Sequence, residues 1–162
     1  MPYHNQAQPQ SPNSISHTIK VLLVDDQKTI RYQLQRMLSN QADLKVVGTA
    51  SDGKRAIALT ESLQPDVILI DIEMPEMNGI EAASKIQQRF PNCKILILSS
   101  HEKPEYVQKI ISAGADGYVL KTTPIGDLVI AIQSVCRGYS YFGSQLLKKV
   151  GVAGYVMVKL TE

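Results

Sequence analysis

The sequence predicts a doubly wound α/β fold, in which helices cover both faces of a parallel β-sheet. Short apolar runs typical of strands alternate five times with segments whose apolar residues recur every three or four positions, as they do in helices. Residues 21–24, 67–70 and 95–98 are continuous Val, Ile and Leu, the pattern of strands buried on both faces. With 162 residues, the chain is too short for two domains of ordinary size, so we expect one core.

The chain begins with a segment that has little to bury. Residues 1–17 are mostly Gln, Pro, Ser, Asn and His, and such a composition cannot offset the entropy cost of ordering the backbone. We therefore predict a disordered arm over residues 1–18. It has neither the basic start nor the apolar run of a secretory signal, and no apolar run in the chain approaches a membrane span. We expect a cytoplasmic protein with no membrane contact.

The first strand–helix unit follows this arm. Residues 20–24 form a short apolar run, and Ile30, Leu34, Met37 and Leu38 then recur at helical spacing. Four further units repeat the alternation, and Pro or Gly residues stand where the units join. The predicted strands of these units are 44–49, 67–70, 94–98 and 117–120, and the predicted helices are 54–63, 79–89, 105–113 and 125–137.

Polar side chains follow four of the five predicted strands. Asp25 and Asp26 follow the first strand, Asp71 the third, Ser99 the fourth and Lys121 the fifth. Functional crevices of open α/β sheets lie outside the carboxyl ends of the strands. Since the central strands of such a sheet are neighbours, we expect these side chains to converge.

These groups together suit metal-assisted phosphoryl transfer. Three carboxylates repel one another unless a cation lies among them, and oxygen ligands suit Mg²⁺. A carboxylate can accept a phosphoryl group if the charge on the phosphoryl oxygens is neutralised, as Lys121 and a metal would do. The hydroxyl of Ser99 can donate a hydrogen bond to a phosphoryl oxygen.

Each residue also has a simpler interpretation by itself. Asp25 and Asp26 could cap a helix, Asp71 could be a turn residue, and Ser99 and Lys121 could be solvated. Their arrival together from four strand ends favours the functional interpretation.

Two cysteines, Cys93 and Cys136, are far apart and have no metal-binding spacing, so we predict reduced structural thiols.

Four segments carry a resemblance to a known family: VLLVDDQKTIR, PDVILIDIEMPEMNGIEAASKI, KILILSSHEK and SAGADGYVLKT. Over residues 19–138 the chain resembles the receiver domain of bacterial response regulators. The resemblance implies a CheY-like, flavodoxin-like (βα)5 fold, with five parallel strands in the order 2-1-3-4-5. It also implies a regulatory phospho-acceptor, which catalyses only its own phosphorylation and dephosphorylation, with a sensor histidine kinase as partner.

The resemblance assigns a role to each candidate residue. Asp71 is the phospho-acceptor, and Asp25 and Asp26 form an acidic pocket for Mg²⁺ or Mn²⁺. The metal ligands are Asp26, Asp71 and the backbone carbonyl of Glu73, with Asp25 acting through water. Lys121 stabilises the phosphoryl group, Ser99 and Tyr118 form the switch in which Tyr118 rotates inward, and the side chains of Glu73 and His101 tune the phosphoryl lifetime. A solvated loop residue remains the alternative for His101.

One departure from the family concerns the loop after Lys121. Many receivers have Lys-Pro with a cis bond there, whereas Thr122 follows here and Pro124 comes two residues later. A cis bond before Thr122 would be costly, so the sequence leaves the geometry of this loop open.

Residues 139–162 resemble the linker of the NarL/LuxR subfamily, which leads to a helix-turn-helix domain. We therefore expect DNA binding only through such a domain, which this chain lacks, as in a truncated form of a longer protein or a natural receiver-only product. The net charge of +2 is too small to indicate a nucleic-acid surface. A homodimer formed on phosphorylation is a further expectation, and a stand-alone receiver acting by protein contacts is the alternative.

Two other classes of protein fit less well. Haloacid-dehalogenase-like phosphatases also use an Asp nucleophile and Mg²⁺, but their Asp-x-Asp motif follows the first strand, whereas Asp71 follows the third and Glu73 replaces the second Asp. Pseudo-receivers usually lack a pocket residue, and none is missing here.

Overall fold

Strands and helices alternate along the chain as the sequence predicts. The structure is a computed structural model, and it describes residues 17–101, 103–143 and 157–159. The strands are β1 (Ile19–Val24), β2 (Leu44–Ala50), β3 (Val67–Asp71), β4 (Lys94–Ser99), β5 (Gly117–Leu120), β6 (Tyr139–Phe142) and β7 (Met157–Lys159). The helices are α1 (Lys28–Ser39), α2 (Gly53–Leu63), α3 (Gly79–Arg89), α4 (Pro104–Ser112) and α5 (Ile125–Cys136).

Most predicted element boundaries agree with the structure to within one or two residues, and the small differences have local causes. Helix α2 begins at Gly53 because the side chain of Asp52 caps it, accepting a hydrogen bond from the amide of Arg55 at 2.8 Å. Helix α4 begins at Pro104, one residue earlier than predicted, and proline suits the first turn of a helix.

The sheet has the strand order β2-β1-β3-β4-β5-β6-β7. The doubly wound fold and the predicted order 2-1-3-4-5 are confirmed, and all pairs within that set are parallel. All five predicted strands are present, and the sheet extends beyond them, because β6 adds a parallel strand beside β5 and β7 pairs antiparallel with β6.

Strand β6 forms at the start of the segment that the sequence predicts to be a linker. Tyr141 and Phe142 are buried, and the amide of Tyr141 donates to the carbonyl of Asp116 at 2.9 Å. Gly117 makes the close pairing possible, because a Cβ at that position would lie 2.3 Å from the carbonyl oxygen of Tyr141. These two aromatic side chains gain burial by pairing with the edge of β5, which otherwise would be open.

The core lies on both faces of the sheet, as the continuous apolar strands predict. Successive residues of a strand point to opposite faces. Ile68 and Ile70 thus pack in the cluster with α2, α3 and α4, and Val67 and Leu69 pack in the cluster with α1 and α5. Helices packed on both faces hold the sheet in place. Because the strands from β1 to β5 are parallel, their carboxyl ends lie together along one side of the sheet.

Several expectations concern the ends of the chain and the loop after Lys121. Residues 1–16, 144–156 and 160–162 lie outside the described residues, so most of the predicted arm and much of the predicted linker do too. No cis peptide bond occurs among the described residues, so the Lys121–Thr122 bond is trans. Within the described part of the chain, no helix has the length and apolar character needed to cross a membrane.

Candidate functional site

An ion-paired cluster lies at the carboxyl edge of the sheet. Asp25 follows β1, Asp71 ends β3, and Lys121 follows β5. The Nζ atom of Lys121 lies 2.6 Å from Oδ2 of Asp25 and 3.2 Å from Oδ2 of Asp71. The side chain of Lys121 is 10% exposed, that of Asp25 is 2% exposed and that of Asp71 is 5% exposed. Water therefore screens the charges of these groups little. The predicted convergence of these residues is confirmed, and Lys121 is not a solvated charge.

Asp25 is held at its side chain and at its backbone. Its Oδ1 atom accepts a hydrogen bond from the amide of Gln27 at 2.9 Å. Its Oδ2 atom is enclosed, makes the 2.6 Å ion contact with Lys121, and receives no well-aligned hydrogen bond from any described residue. Its amide donates to the carbonyl of Ala50 at 3.1 Å, and its carbonyl accepts from Nη1 of Arg31 at 2.5 Å. Asp25 is therefore part of the framework of the site and not merely a helix cap.

Burial and charge change the protonation of this cluster. Burial, together with the negative charge of Asp25, raises the pKa of Asp71 to about 6, although Lys121 and the backbone amide of Glu73 act in the opposite direction. Burial by itself would lower the pKa of Lys121, but its hydrogen bonds and charge interactions with Asp25 and Asp71 raise it. At neutral pH, Lys121 is charged and Asp71 is mostly ionised.

The carboxylates also form a cluster that could hold a metal ion. Asp25, Asp26 and Asp71 each offer an oxygen atom, and these atoms all lie within 4.8 Å of one another. Asp26 is exposed, so the cluster opens to solvent on one side. Oxygen ligands with access to water suit Mg²⁺. Oδ2 of Asp25 accepts no well-aligned hydrogen bond from a described residue, so a lone pair is available for a metal ion. The donor set therefore fits a hard divalent cation.

The loop after Asp71 is packed tightly against the end of β3. A Cβ at Gly79 would lie 2.1 Å from the carbonyl oxygen of Asp71, and the amide of Gly79 donates to the carbonyl of Ile72 at 2.9 Å. Glycine is thus required where α3 begins, and its packing fixes the backbone of Asp71.

Ser99 and Tyr118 share one hydrogen-bond acceptor. Oγ of Ser99 donates to the carbonyl oxygen of His101 at 2.7 Å, and the hydroxyl of Tyr118 donates to the same oxygen at 3.0 Å. Both donor residues are buried, with Tyr118 fully enclosed. Ser99 is therefore not the solvated loop residue of the simpler interpretation. The side chain of Tyr118 already points into the protein in this structure. The inward orientation expected from the family resemblance is therefore present without a phosphoryl group.

The two residues expected to tune the phosphoryl lifetime are both exposed. The side chains of Glu73 and His101 face solvent. The described hydrogen bonds of these residues are made by their backbones, through the Glu73 amide to Asp71 and the His101 carbonyl to Ser99 and Tyr118. Their side-chain roles stay predictions.

Two features were not predicted from the sequence. Arg31 reaches back from α1 to the carbonyl of Asp25, and its only sequence signal is a basic residue five positions after Asp26. Asp116 is a buried carboxylate that accepts a hydrogen bond from the amide of Ile95 at 2.8 Å, and burial raises its pKa. Asp116 holds the start of β4, at the opposite edge of the sheet from the cluster.

The cysteines agree with the prediction of structural thiols. Cys93 and Cys136 are free, the first buried and the second half-buried. Burial is the main cause that raises the pKa of each thiol to about 12, so the reactive thiolate is scarce at neutral pH.

A doubly wound sheet with a buried Asp–Lys pair, an acidic cluster and a linked Ser–Tyr pair at its carboxyl edge defines a receiver-type signalling domain. The family model described as the response regulator receiver domain matches residues 21–133. The chain belongs to this family, and it is the receiver domain of a two-component response regulator.

Individual relatives are response regulators. The chain is 41% identical over 133 residues to the response regulator protein VraR of Staphylococcus aureus, a match that covers 82% of this chain and 64% of VraR. The chain thus spans somewhat less than two thirds of the curated relatives that it matches.

Solved structures give the same result. The receiver domain of the response regulator NarL from Mycobacterium tuberculosis is 31% identical, with a TM-score of 0.72, over 75% of this chain and 98% of that one. A DNA-binding response regulator of the LuxR family from Staphylococcus aureus is 30% identical, with a TM-score of 0.68, over 73% of this chain and 98% of that one.

Proposed function

We propose that this receiver domain accepts a phosphoryl group on Asp71 from the phosphohistidine of a sensor histidine kinase. One observation carries the proposal. The carboxylate of Asp71 is buried at a strand end, 3.2 Å from the ammonium of Lys121 and inside a cluster of three carboxylates suited to Mg²⁺ or Mn²⁺. A nucleophilic carboxylate, a fixed cation and a metal site are the groups that phosphoryl transfer to aspartate requires.

The transfer forms one bond and breaks one bond. An oxygen of ionised Asp71 attacks phosphorus in line, the bond between phosphorus and the histidine nitrogen breaks, and the imidazole leaves with that electron pair. Asp25, Asp26 and Asp71, with the backbone carbonyl of Glu73, would hold the metal, and Asp25 would act through water. A bound metal would neutralise charge on the phosphoryl oxygens. Lys121 already lies beside Asp71 and stabilises the new phosphoryl group by charge and hydrogen bonding.

Ser99 and Tyr118 connect the acceptor site with the loop between β4 and α4. Their hydroxyls converge on the carbonyl of His101. After transfer, Oγ of Ser99 turns to donate to a phosphoryl oxygen, and Tyr118 keeps its bond to His101. Since Tyr118 is already buried, phosphorylation raises the population of a conformation that the unphosphorylated domain can also adopt.

The lifetime of the phosphoryl group depends on access of water to the acyl phosphate. Glu73 and His101 flank the site on the loops after β3 and β4, with exposed side chains. We propose that both side chains affect hydrolysis. Glu73→Gln and His101→Ala should change the rate at which the phosphoryl group is lost without changing the site of phosphorylation, and intact mass followed over time would measure that rate.

The output proposal rests on the relatives. We infer that residues 19–138 act as a regulatory input to transcription in the cytoplasm, through a helix-turn-helix DNA-binding domain beyond residue 162, with homodimer formation on phosphorylation. The support is the DNA-binding relative of the LuxR family and the fact that VraR is longer than this chain. A stand-alone receiver acting by protein contacts is the alternative. Sequencing of the gene beyond codon 162 separates the two, because only the first continues into the further domain.

Phosphorylation itself is tested with a small phosphodonor. The purified chain is incubated with acetyl phosphate and MgCl₂, and intact mass is recorded with and without hydroxylamine, which cleaves acyl phosphates. The wild-type chain should gain one hydroxylamine-sensitive phosphoryl group, and Asp71→Asn should gain none. Asp43→Asn, which changes an exposed aspartate outside the site, is the matched control and should behave as wild type. A wild-type chain that never gains the group, or an Asp71→Asn chain that does, contradicts the proposal.

A further inference from the structure

We infer that Arg31 is a positioning residue for the acidic pair, and that it sets the affinity of the site for its divalent cation. This inference rests on the proposed function, because it concerns the same carboxylates. Arg31 lies in the first half of α1 and is half-buried. Its Nη1 atom donates to the carbonyl oxygen of Asp25 at 2.5 Å. A hydrogen bond from a charged guanidinium is shorter and stronger than one between neutral groups.

The carbonyl of Asp25 needs such a donor. Strand β1 ends at Val24, which is the last residue of β1 paired with β3. The amide of Asp25 still bonds to β2, through the carbonyl of Ala50. No backbone amide among the described residues donates to the Asp25 carbonyl beyond that point, and Arg31 takes the place of the missing sheet partner.

This carbonyl controls two carboxylates at once. It belongs to the peptide group that joins Asp25 to Asp26, and that group is planar. Holding its oxygen therefore orients the amide of Asp26 and the Cα atoms of both residues. Asp25 has further anchors at its side chain, from Gln27 and Lys121, but the exposed carboxylate of Asp26 has no described hydrogen bond or ion pair. Arg31 is thus the described contact that fixes the backbone beside Asp26.

The expected effect follows from how metal sites respond to loss of an orienting partner. Removal of a group that orients metal ligands typically lowers metal affinity by about 10- to 100-fold. Arg31 acts through the backbone and not on a ligand atom, so we expect the lower end, about 10-fold. The charge of Arg31 acts in the opposite direction, because a cation near the site repels Mg²⁺. A net loss of affinity in Arg31→Ala therefore identifies positioning as the dominant effect.

Arg36 provides a matched control on the same helix. Its guanidinium lies 5.9 Å from the centroid of the Tyr32 ring, and it is exposed. Its described contact is with that ring, and it has none with the acidic pair. Arg36→Ala therefore removes the same charge and the same side chain from α1 without touching the Asp25 carbonyl.

The test measures MgCl₂ binding to the whole chain by isothermal titration calorimetry at constant pH, for wild type, Arg31→Ala, Arg31→Lys and Arg36→Ala. We expect about 10-fold weaker binding for Arg31→Ala, partial recovery for Arg31→Lys because lysine can supply one donor, and wild-type binding for Arg36→Ala. Phosphorylation by acetyl phosphate should require correspondingly more MgCl₂ in Arg31→Ala and reach the wild-type extent when MgCl₂ is saturating.

The outcomes are distinguishable. Folding of each variant is checked by circular dichroism, and if Arg31→Ala fails to fold, the comparison of Arg31→Lys with Arg36→Ala decides, with weaker binding expected only for the first. Unchanged Mg²⁺ affinity in a folded Arg31 variant overturns the inference, as does an equal loss in Arg36→Ala. If the wild type binds Mg²⁺ but is never phosphorylated, the proposed function fails while the role of Arg31 is still decided by the calorimetry.

Discussion

Replacement of Asp71 by asparagine should stabilise the fold at neutral pH in the absence of a divalent cation. The pKa of Asp71 is raised from 3.8 to about 6, first by burial and then by the charge of Asp25. The folded state therefore binds this proton more tightly than the unfolded state does, and the contribution of Asp71 to stability falls as the pH rises from about 4 through 6. Asparagine resembles the protonated carboxyl in shape and avoids the cost of ionisation.

The size of the effect follows from the shift. About two pKa units, at about 1.4 kcal/mol each, give up to about 3 kcal/mol at pH 7.5, where the folded and unfolded carboxyls are both ionised. At pH 5 the unfolded carboxyl is ionised but the folded one is mostly protonated, so the cost is about half as large, roughly 1.5 kcal/mol. The gain from Asp71→Asn should therefore be about twice as large at pH 7.5 as at pH 5.

Urea denaturation followed by circular dichroism in EDTA measures this, and the method suits a chain without tryptophan. Asp43→Asn, which removes an exposed carboxylate, controls for the change in net charge and should be nearly neutral. Saturating MgCl₂ should reduce the difference, because a ligand that binds the folded wild type stabilises it. An Asp71→Asn variant less stable than wild type at pH 7.5, or a gain independent of pH, would refute the electrostatic reasoning.

Three further predictions follow from other parts of the structure. Lys121→Met should destabilise the fold by roughly 3–5 kcal/mol at pH 7.5 in EDTA, because two buried carboxylates lose their cation; urea denaturation measures this, and a loss no larger at pH 7.5 than at pH 5 would contradict it. Gly117→Ala should cost about 1–3 kcal/mol, because the new Cβ would lie 2.3 Å from the carbonyl oxygen of Tyr141; the same assay applies, and an unchanged midpoint would show that the pairing of β5 with β6 is not tight. Cys93 and Cys136 should react with Ellman's reagent at pH 8 only after unfolding, because burial raises the pKa of both thiols to about 12; rapid labelling of the folded chain would contradict this.

Much of the fold was predictable, because a strand buried on both faces of a sheet is a continuous run of apolar residues in the sequence. Strands β3 and β4 are continuous apolar runs, and alternate residues of each enter the two core clusters. The strand-end rule then brought together Asp25, Asp71 and Lys121, since neighbouring parallel strands end at one edge. These inferences use residue type and strand position alone, and both are visible in the sequence.

The features that the sequence did not predict are hydrogen bonds to backbone groups, and residue type alone does not indicate such bonds. The carbonyl of Asp25 is held by Arg31, and the carbonyl of His101 is shared by two hydroxyls. Every residue has such a carbonyl, so nothing in the sequence identifies which ones matter. Strand β6 was missed for a related reason, because a short segment can pair at a sheet edge wherever a neighbour such as Gly117 leaves room.

Under the proposed function, the shared carbonyl of His101 offers a route by which phosphorylation of Asp71 would affect the loop before α4. A carbonyl oxygen has two lone pairs, and Ser99 and Tyr118 use both in this structure. Under the proposed function, Ser99 leaves to bond the phosphoryl group, so Tyr118 becomes the remaining side-chain donor to that oxygen. The backbone amide of His101 donates a hydrogen bond to Oγ of Ser99 at 3.2 Å. This hydrogen bond would also weaken when Ser99 turns toward the phosphoryl group. Under that proposal, phosphorylation would exchange a loop anchored by two buried hydroxyls for a loop anchored by one, and the inward Tyr118 would matter most in the phosphorylated state.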